Sequence, residues 1–215
     1  MTAVAIHQEA SNRLASLGLE AQSLQRTVLR ADAEARLISD LEPPNAEGVT
    51  RYNKTNRYIR EELMPSGWFP DNTQGYCRTV HPGREWAIVA SSGDSDTGLW
   101  TPNRSPSTKY RKGETTEKAV TQNFFQTSFD LGQAFQLEAP IDDDGQVVWY
   151  LLYNVTEDKI FVELSLPDRI EGGRITHWAE RIIIDPIDRA SSVSLPIGES
   201  PDDGAGDYTV DVAML

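Results

Sequence analysis

The chain has 215 residues and a formal net charge of -13, with 39% hydrophobic and 25% charged residues. This composition is typical of a globular protein with enough apolar residues for a packed core. Because no apolar segment approaches the roughly 20 residues that span a bilayer, and residues 1–10 lack the features of a secretory signal, we expect a cytoplasmic protein without membrane contact. The single cysteine, Cys77, excludes an internal disulfide and a multi-thiolate zinc site.

The first 42 residues have the pattern of an amphipathic helix or a helical hairpin. Apolar residues recur at alternating spacings of four and three positions from Ala10 to Ile38. Gly18 interrupts this pattern and predicts a break between two helices. Two interpretations are open, in which the apolar seam either packs on the protein's own core or mediates self-association or protein binding. The seam residues for a partner are Leu14, Leu17, Leu24, Val28 and Ile38.

A second helix is predicted after the breaker at Pro43 and Pro44, from a cap at Thr50 to about Leu63. One side of it carries apolar residues and the other carries a basic stripe. This stripe either contacts phosphates or an acidic partner, or is a solvated face. Its members are Arg51, Lys54, Arg57 and Arg60.

A long basic loop follows a predicted strand at residues 86–90. Residues 101–113 are rich in proline, serine and basic residues, and their few apolar side chains argue against burial. Tyrosines alternate with cations here as in the second helix, a pattern that suits nucleic acid because rings stack on bases while cations neutralise phosphates. The predicted anion contacts in this loop are Lys109, Arg111 and Lys112.

The charge distribution agrees with a basic middle region. Residues 51–118 contain 11 basic and 8 acidic residues, whereas residues 119–215 contain 5 basic and 18 acidic residues. The negative sum over the whole chain repels phosphate at long range, which argues against tight nonspecific binding of nucleic acid. A local cationic surface for an anionic partner is still compatible with this negative net charge.

The second half of the chain predicts a sheet. Apolar runs at residues 147–153, 160–166 and 175–184 read as adjacent antiparallel strands, the first of them central because both of its faces are apolar. Pro167 is expected to end the second strand. A helix at 117–129 and a short strand at 131–137 are predicted before the sheet, and an acidic, partly mobile tail after it.

Four carboxylates offer an alternative, catalytic interpretation. Asp94 and Asp96 follow a predicted strand, Asp144 precedes the central strand, and Glu163 lies within the next one. Carboxylates that converge from neighbouring strands can hold Mg²⁺ and activate water, as in a metal-dependent phosphodiesterase or nuclease. Glu163 is otherwise expected to face solvent at a sheet edge, and Asp94 and Asp96 to form a tight turn.

The sequence therefore predicts an α+β protein, in which N-terminal helices are followed by a mainly antiparallel β-sheet with at least one covering helix. The expected units are residues 1–42, a helix or hairpin; residues 48–190, the α+β core; and residues 191–215, the tail. The leading hypothesis is a non-catalytic binding or assembly protein that uses the helical seam and the basic middle region. Whether the protein is instead an enzyme is left open by the sequence.

Overall fold

The computed structural model describes residues 2–113, 115–121, 123 and 146–190. Within these residues the chain forms helices α1 to α4 and strands β1 to β7. The helices are α1 (His7–Ser16), α2 (Ala21–Ala35), α3 (Ala46–Leu63) and α4 (115–121, with 123 also helical). The strands are β1 (Ala3–Ala5), β2 (Phe69–Asp71), β3 (Arg78–Val80), β4 (Trp86–Ser92), β5 (Val147–Val155), β6 (Lys159–Glu171) and β7 (Arg174–Asp188).

The seven strands form one sheet in the order β1-β7-β6-β5-β4-β3-β2. The prediction that β5 is central is confirmed, since three strands lie on each side of it. Its side chains alternate between two hydrophobic clusters, with Trp149 and Leu151 on one face and Tyr150 and Leu152 on the other. The antiparallel order β5-β6-β7 is also confirmed.

The sheet is mixed, so the prediction of a mainly antiparallel sheet is wrong. β4 and β5 pair in parallel, from Trp86 opposite Val147 to Ser92 opposite Tyr153. This pairing requires a long connection, because the chain must return to the starting end of the sheet before β5 begins. β1 also pairs in parallel with β7. Because β1 precedes the helices in the chain, the prediction that all helices come before the strands is wrong as well.

Helices α1 to α3 cover one face of the sheet. The predicted break at Gly18 is confirmed, since its backbone has a φ of 69° between α1 and α2. Leu14, Leu24 and Val28 are fully buried in a cluster that also contains Trp149 of β5. Helices α1 and α2 therefore share the core of the sheet.

The burial of the seam favours the interpretation in which the N-terminal helices pack on the protein's own core. Leu14, Leu24 and Val28 lie inside the chain's own core, and Leu17 and Ile38 are half-buried. Burial against the sheet removes these apolar side chains from water within one chain, so the driving force for association is already used. Leu14, Leu24 and Val28 are therefore not exposed to a partner, and of the five seam residues only Leu17 and Ile38 keep part of their surface.

The opposite face of the sheet is covered by α4 and by the segment 93–113. Val120 of α4 packs with Val89, Tyr150 and Trp178. The buried Asn123 amide donates to the Val148 carbonyl oxygen (2.8 Å) and its oxygen accepts from the Val148 N–H (2.9 Å). These bonds fasten the helix to the backbone of the central strand, which confirms a covering helix on this side.

β6 and β7 form a long, irregular hairpin. β6 continues through Pro167 to Glu171, which corrects its predicted end at the proline. The pairing register shifts between Leu166 and Pro167 and again between Pro167 and Arg169. Such bulges admit a residue that has no N–H to donate, so the proline bends the strand without ending it.

Some predicted features lie outside the described residues, namely the strand at 131–137, the carboxylate Asp144 and the tail at 191–215. Among the residues that are described, no helix combines the length and the apolar character needed to cross a membrane.

Candidate functional site

The segment 93–113 begins where the parallel strand β4 ends, and hydrogen bonds fasten it to the sheet. The buried Thr108 donates its N–H to the Ile175 carbonyl oxygen (3.1 Å), and its hydroxyl oxygen accepts from the Ile175 N–H (3.2 Å). The Trp178 indole N–H donates to the Pro106 carbonyl oxygen at 2.8 Å. The expectation that residues 101–113 avoid burial is therefore corrected for the part around Thr108, where backbone hydrogen bonds replace apolar contacts.

Lys112 is the second anchor of this segment. Its N–H donates to the Gly173 carbonyl oxygen, and its Nζ donates to the Ser91 hydroxyl oxygen, each at 2.6 Å. Burial lowers the pKa of Lys112 to about 8, because desolvation disfavours the charged amine. Lys112 was predicted to contact an anion at the surface, but its side chain is directed into the protein.

Three consecutive side chains between these anchors, Lys109, Tyr110 and Arg111, are exposed. The Lys109 Nζ lies 5.8 Å from the centre of the Tyr110 ring, and the Lys109 N–H donates to the Ser92 carbonyl oxygen at 2.9 Å. The segment runs beside the hairpin turn between β6 and β7, since a Cβ added at Gly173 would lie 3.6 Å from the Arg111 Cβ. The residue after that turn, Arg174, which begins β7, is also exposed.

We call Lys109, Tyr110, Arg111 and Arg174 the cationic patch. Within the described part of the chain its three cations form no ion pair with a carboxylate. Arg174 was missed by the sequence analysis. The Gly172-Gly173 turn was visible in the sequence, but nothing there indicated which loop this turn would contact.

The basic stripe of α3 has a different environment. Lys54 pairs with Glu34, and Arg57 pairs with Glu61 at 2.7 Å. The other members are also engaged, Arg51 with Asp32 and Glu47, and Arg60 with the side-chain oxygen of Asn72 and the backbone oxygen of Arg78. The hydrogen bond from Arg57 lowers the pKa of Glu61, as expected for a carboxylate beside a cation. The cations predicted on this helix are thus matched by acceptors of the same chain.

Glu163 is fully buried beneath the segment 93–113, so its predicted position at a solvent-facing edge is wrong. Arg181 of β7, which is 2% exposed, donates from Nη2 to one carboxylate oxygen (2.6 Å) and from Nε to the other (3.1 Å). The Gly98 N–H and the Ser165 hydroxyl donate to the same carboxylate, at 2.8 Å and 2.7 Å. Both oxygens are therefore occupied by donors of the chain itself.

Asp94 and Asp96 shape the turn that leads over this ion pair. The two Asp94 carboxylate oxygens accept from the backbone N–H groups of Asp96 (3.0 Å) and Ser107 (2.9 Å). Asp96 pairs with Arg104 at 2.8 Å. In the described residues, no three side chains among His, Cys, Asp and Glu form a group that could hold a metal ion.

Gly98 allows this turn to lie directly on β6. Its φ is 71°, and an added Cβ would lie 2.8 Å from the Phe161 Cβ. We expect Gly98→Ala to lower the free energy of unfolding by about 2 kcal/mol or more, through backbone strain and the clash together. Urea unfolding measures this loss. The control is Gly18→Ala, where φ is 69° but no atom lies within 4 Å of the added Cβ, and an equal loss in both variants would contradict the close approach.

Comparison with known proteins gives no relative from which a function could be transferred. No family model matches the sequence, no curated protein matches it, and no solved structure matches the fold. The site is therefore interpreted from the chemistry of its own residues.

Proposed function

We propose that this protein binds an anionic, phosphate-bearing partner through the cationic patch. The observation that carries the proposal is that Lys109, Arg111 and Arg174 are exposed and form no ion pair with a carboxylate in the described part of the chain. The Lys112 to Gly173 hydrogen bond and the approach of Arg111 to Gly173 place the segment beside the turn that precedes Arg174. Other exposed cations of the described residues, such as Lys118 and Lys159, also form no ion pair, so the patch differs from them in the grouping of its cations beside one turn. On a chain of net charge -13, such a group favours recognition of a negative charge.

The positions of the acidic side chains support binding rather than metal-dependent hydrolysis. Glu163 is neutralised by Arg181, and Asp94 is occupied by two backbone N–H groups. A carboxylate that binds Mg²⁺ needs a free oxygen directed at the ion. The proposed activity is therefore recognition, and the phosphodiesterase or nuclease interpretation has no specific support from these residues.

Neutralising the patch tests the proposal. We expect the variant Lys109→Gln, Arg111→Gln, Arg174→Gln to bind heparin and a fluorescent oligonucleotide more weakly, because three phosphate or sulfate contacts are lost. Each lost contact should reduce the slope of log K against log salt by about 0.7 to 0.9. Fluorescence anisotropy between about 50 and 200 mM salt measures both the affinity and this slope.

A matched control carries the same change in net charge. The variant Lys54→Gln, Arg57→Gln, Lys159→Gln removes three cations outside the patch, two of which are paired with Glu34 and Glu61. We expect its affinity and salt slope to stay close to those of the unmodified protein. If both variants lose affinity equally, only the total charge matters. If the unmodified protein binds no polyanion at low salt, the proposed function is wrong.

A further inference from the structure

Tyr110 is the aromatic side chain of the cationic patch. It is 60% exposed, although the residues that anchor its segment, Thr108 and Lys112, are largely buried. A tyrosine on a surface usually covers part of its ring with neighbouring apolar side chains. Here the described contact of the ring is with the Lys109 ammonium, so much of the ring is left open to solvent.

The backbone around Tyr110 is held on both sides. On one side the N–H groups of Thr108 and Lys109 donate to Ile175 and Ser92, and on the other the Lys112 N–H donates to Gly173. The Lys112 side chain adds a bond to Ser91. A ring on an anchored segment loses little conformational freedom when a ligand binds, which is the condition for a preorganised contact.

An aromatic ring lies between two cations in the sequence of this segment. Such an order favours a ligand that has both negative charge and a flat apolar face. Lys109 and Arg111 flank Tyr110 in the chain, and Arg174 follows the neighbouring turn. A sulfated sugar, a lipid headgroup or a run of acidic side chains supplies charge without an aromatic face for ring-on-ring stacking. A nucleic-acid duplex supplies phosphates but keeps its base faces stacked inside the helix. Single-stranded nucleic acid offers phosphates and open base faces together.

We infer that the cationic patch binds single-stranded nucleic acid by stacking one base on Tyr110 while Lys109, Arg111 and Arg174 contact the adjoining phosphates. This inference rests on the proposed function and narrows its partner to one class. The cations are assigned to phosphates and the ring to the face of a base, so the binding is expected to tolerate different sequences. Stacking on an aromatic ring has this property because every base has a flat face.

The test separates stacking from charge with two ligands of equal length, a single-stranded deoxyadenylate and its abasic counterpart. We expect the full-length protein to bind the deoxyadenylate at least about fivefold more tightly than the abasic strand. Tyr110→Leu should remove this preference, so that the variant binds the two strands with equal affinity. Tyr110→Phe, which keeps the ring, should retain it. Anisotropy with each labelled strand gives all six dissociation constants.

The outcomes distinguish the inference from the proposed function. If heparin, duplex, deoxyadenylate and the abasic strand bind with equal affinity, or if Tyr110→Leu keeps the preference for bases, the stacking inference is overturned while anion binding stands. If the patch-neutralised variant binds every strand as well as the unmodified protein, both proposals are overturned. Tyr110 is exposed, so its replacement is expected to leave the urea unfolding midpoint unchanged, and that measurement accompanies the binding data.

Discussion

Arg181→Met is expected to lower the free energy of unfolding by about 3 to 5 kcal/mol, because it leaves Glu163 charged and buried without its counter-ion. Both side chains are nearly inaccessible, and the guanidinium contacts both carboxylate oxygens. Arg181 also donates to the Leu99 carbonyl oxygen at 3.0 Å, so the same change loosens the segment 93–113. Urea unfolding followed by circular dichroism measures the loss.

A double variant distinguishes an uncompensated charge from lost packing. In Glu163→Met, Arg181→Met the buried charge is gone, and well-packed apolar replacements of buried ion pairs are often close to neutral. Recovery should still be partial, since Gly98 and Ser165 lose the acceptor that they share. A double variant less stable than Arg181→Met alone would show that the pair itself, rather than the avoided charge, contributes the stability.

Asp32→Ala is expected to cost a similar amount, about 3 to 5 kcal/mol, because three arginines converge on this one fully buried carboxylate. Arg189, which follows β7, donates from Nε at 2.8 Å, Arg51 of α3 lies at 2.9 Å, and Arg36 lies at 3.4 Å. The carboxylate therefore connects α2, α3 and the end of β7. Its loss leaves Arg51 and Arg189 with only the half-exposed Glu47 as a common carboxylate.

The control for Asp32 is on the same helix, two residues further along the chain. Glu34 pairs with Lys54, and both side chains are about a third exposed. Exposed ion pairs contribute at most about 1 kcal/mol, so Glu34→Ala should have a small effect on urea unfolding. Equal losses from Asp32→Ala and Glu34→Ala would contradict a stabilising role for the convergence of the arginines.

The acidic residues illustrate what sequence can and cannot predict about a site. Glu163 was recognisable as unusual because it interrupts an apolar strand. Arg181, its partner, lies 18 positions away on the next strand, and the bulges around Pro167 shift the pairing between those strands. A partner choice that depends on such register shifts cannot be obtained from residue spacing. Glu163 is therefore one half of a buried ion pair, and neither a catalytic nor a solvent-facing carboxylate was the correct prediction.

The basic residues also show that sequence identifies candidate residues but does not predict which of them will be paired. Both candidate sets were identified from sequence, but only Lys109 and Arg111 are exposed without a carboxylate partner among the described residues. Lys54 and Arg57 are matched by Glu34 on α2 and Glu61 on α3. The helix spacing predicts a pair between Arg57 and Glu61, but the pair between Lys54 and Glu34 requires α2 and α3 to lie side by side.

Local sequence determined the elements with a strong repeating pattern. The apolar runs predict β5, β6 and β7, and the helical spacing interrupted by Gly18 predicts α1 and α2. Because both faces of β5 are apolar, the sequence also predicts its central position in the sheet. The strands β1, β2 and β3 have three residues each, too few for any periodicity to appear, and they form because a neighbouring strand offers free backbone groups. Only the tertiary structure decided the parallel pairing of β4 with β5, the burial of the N-terminal seam and the exposure of the cationic patch. Each of these depends on which surfaces meet after the chain has folded, and that is set by contacts between residues far apart in sequence.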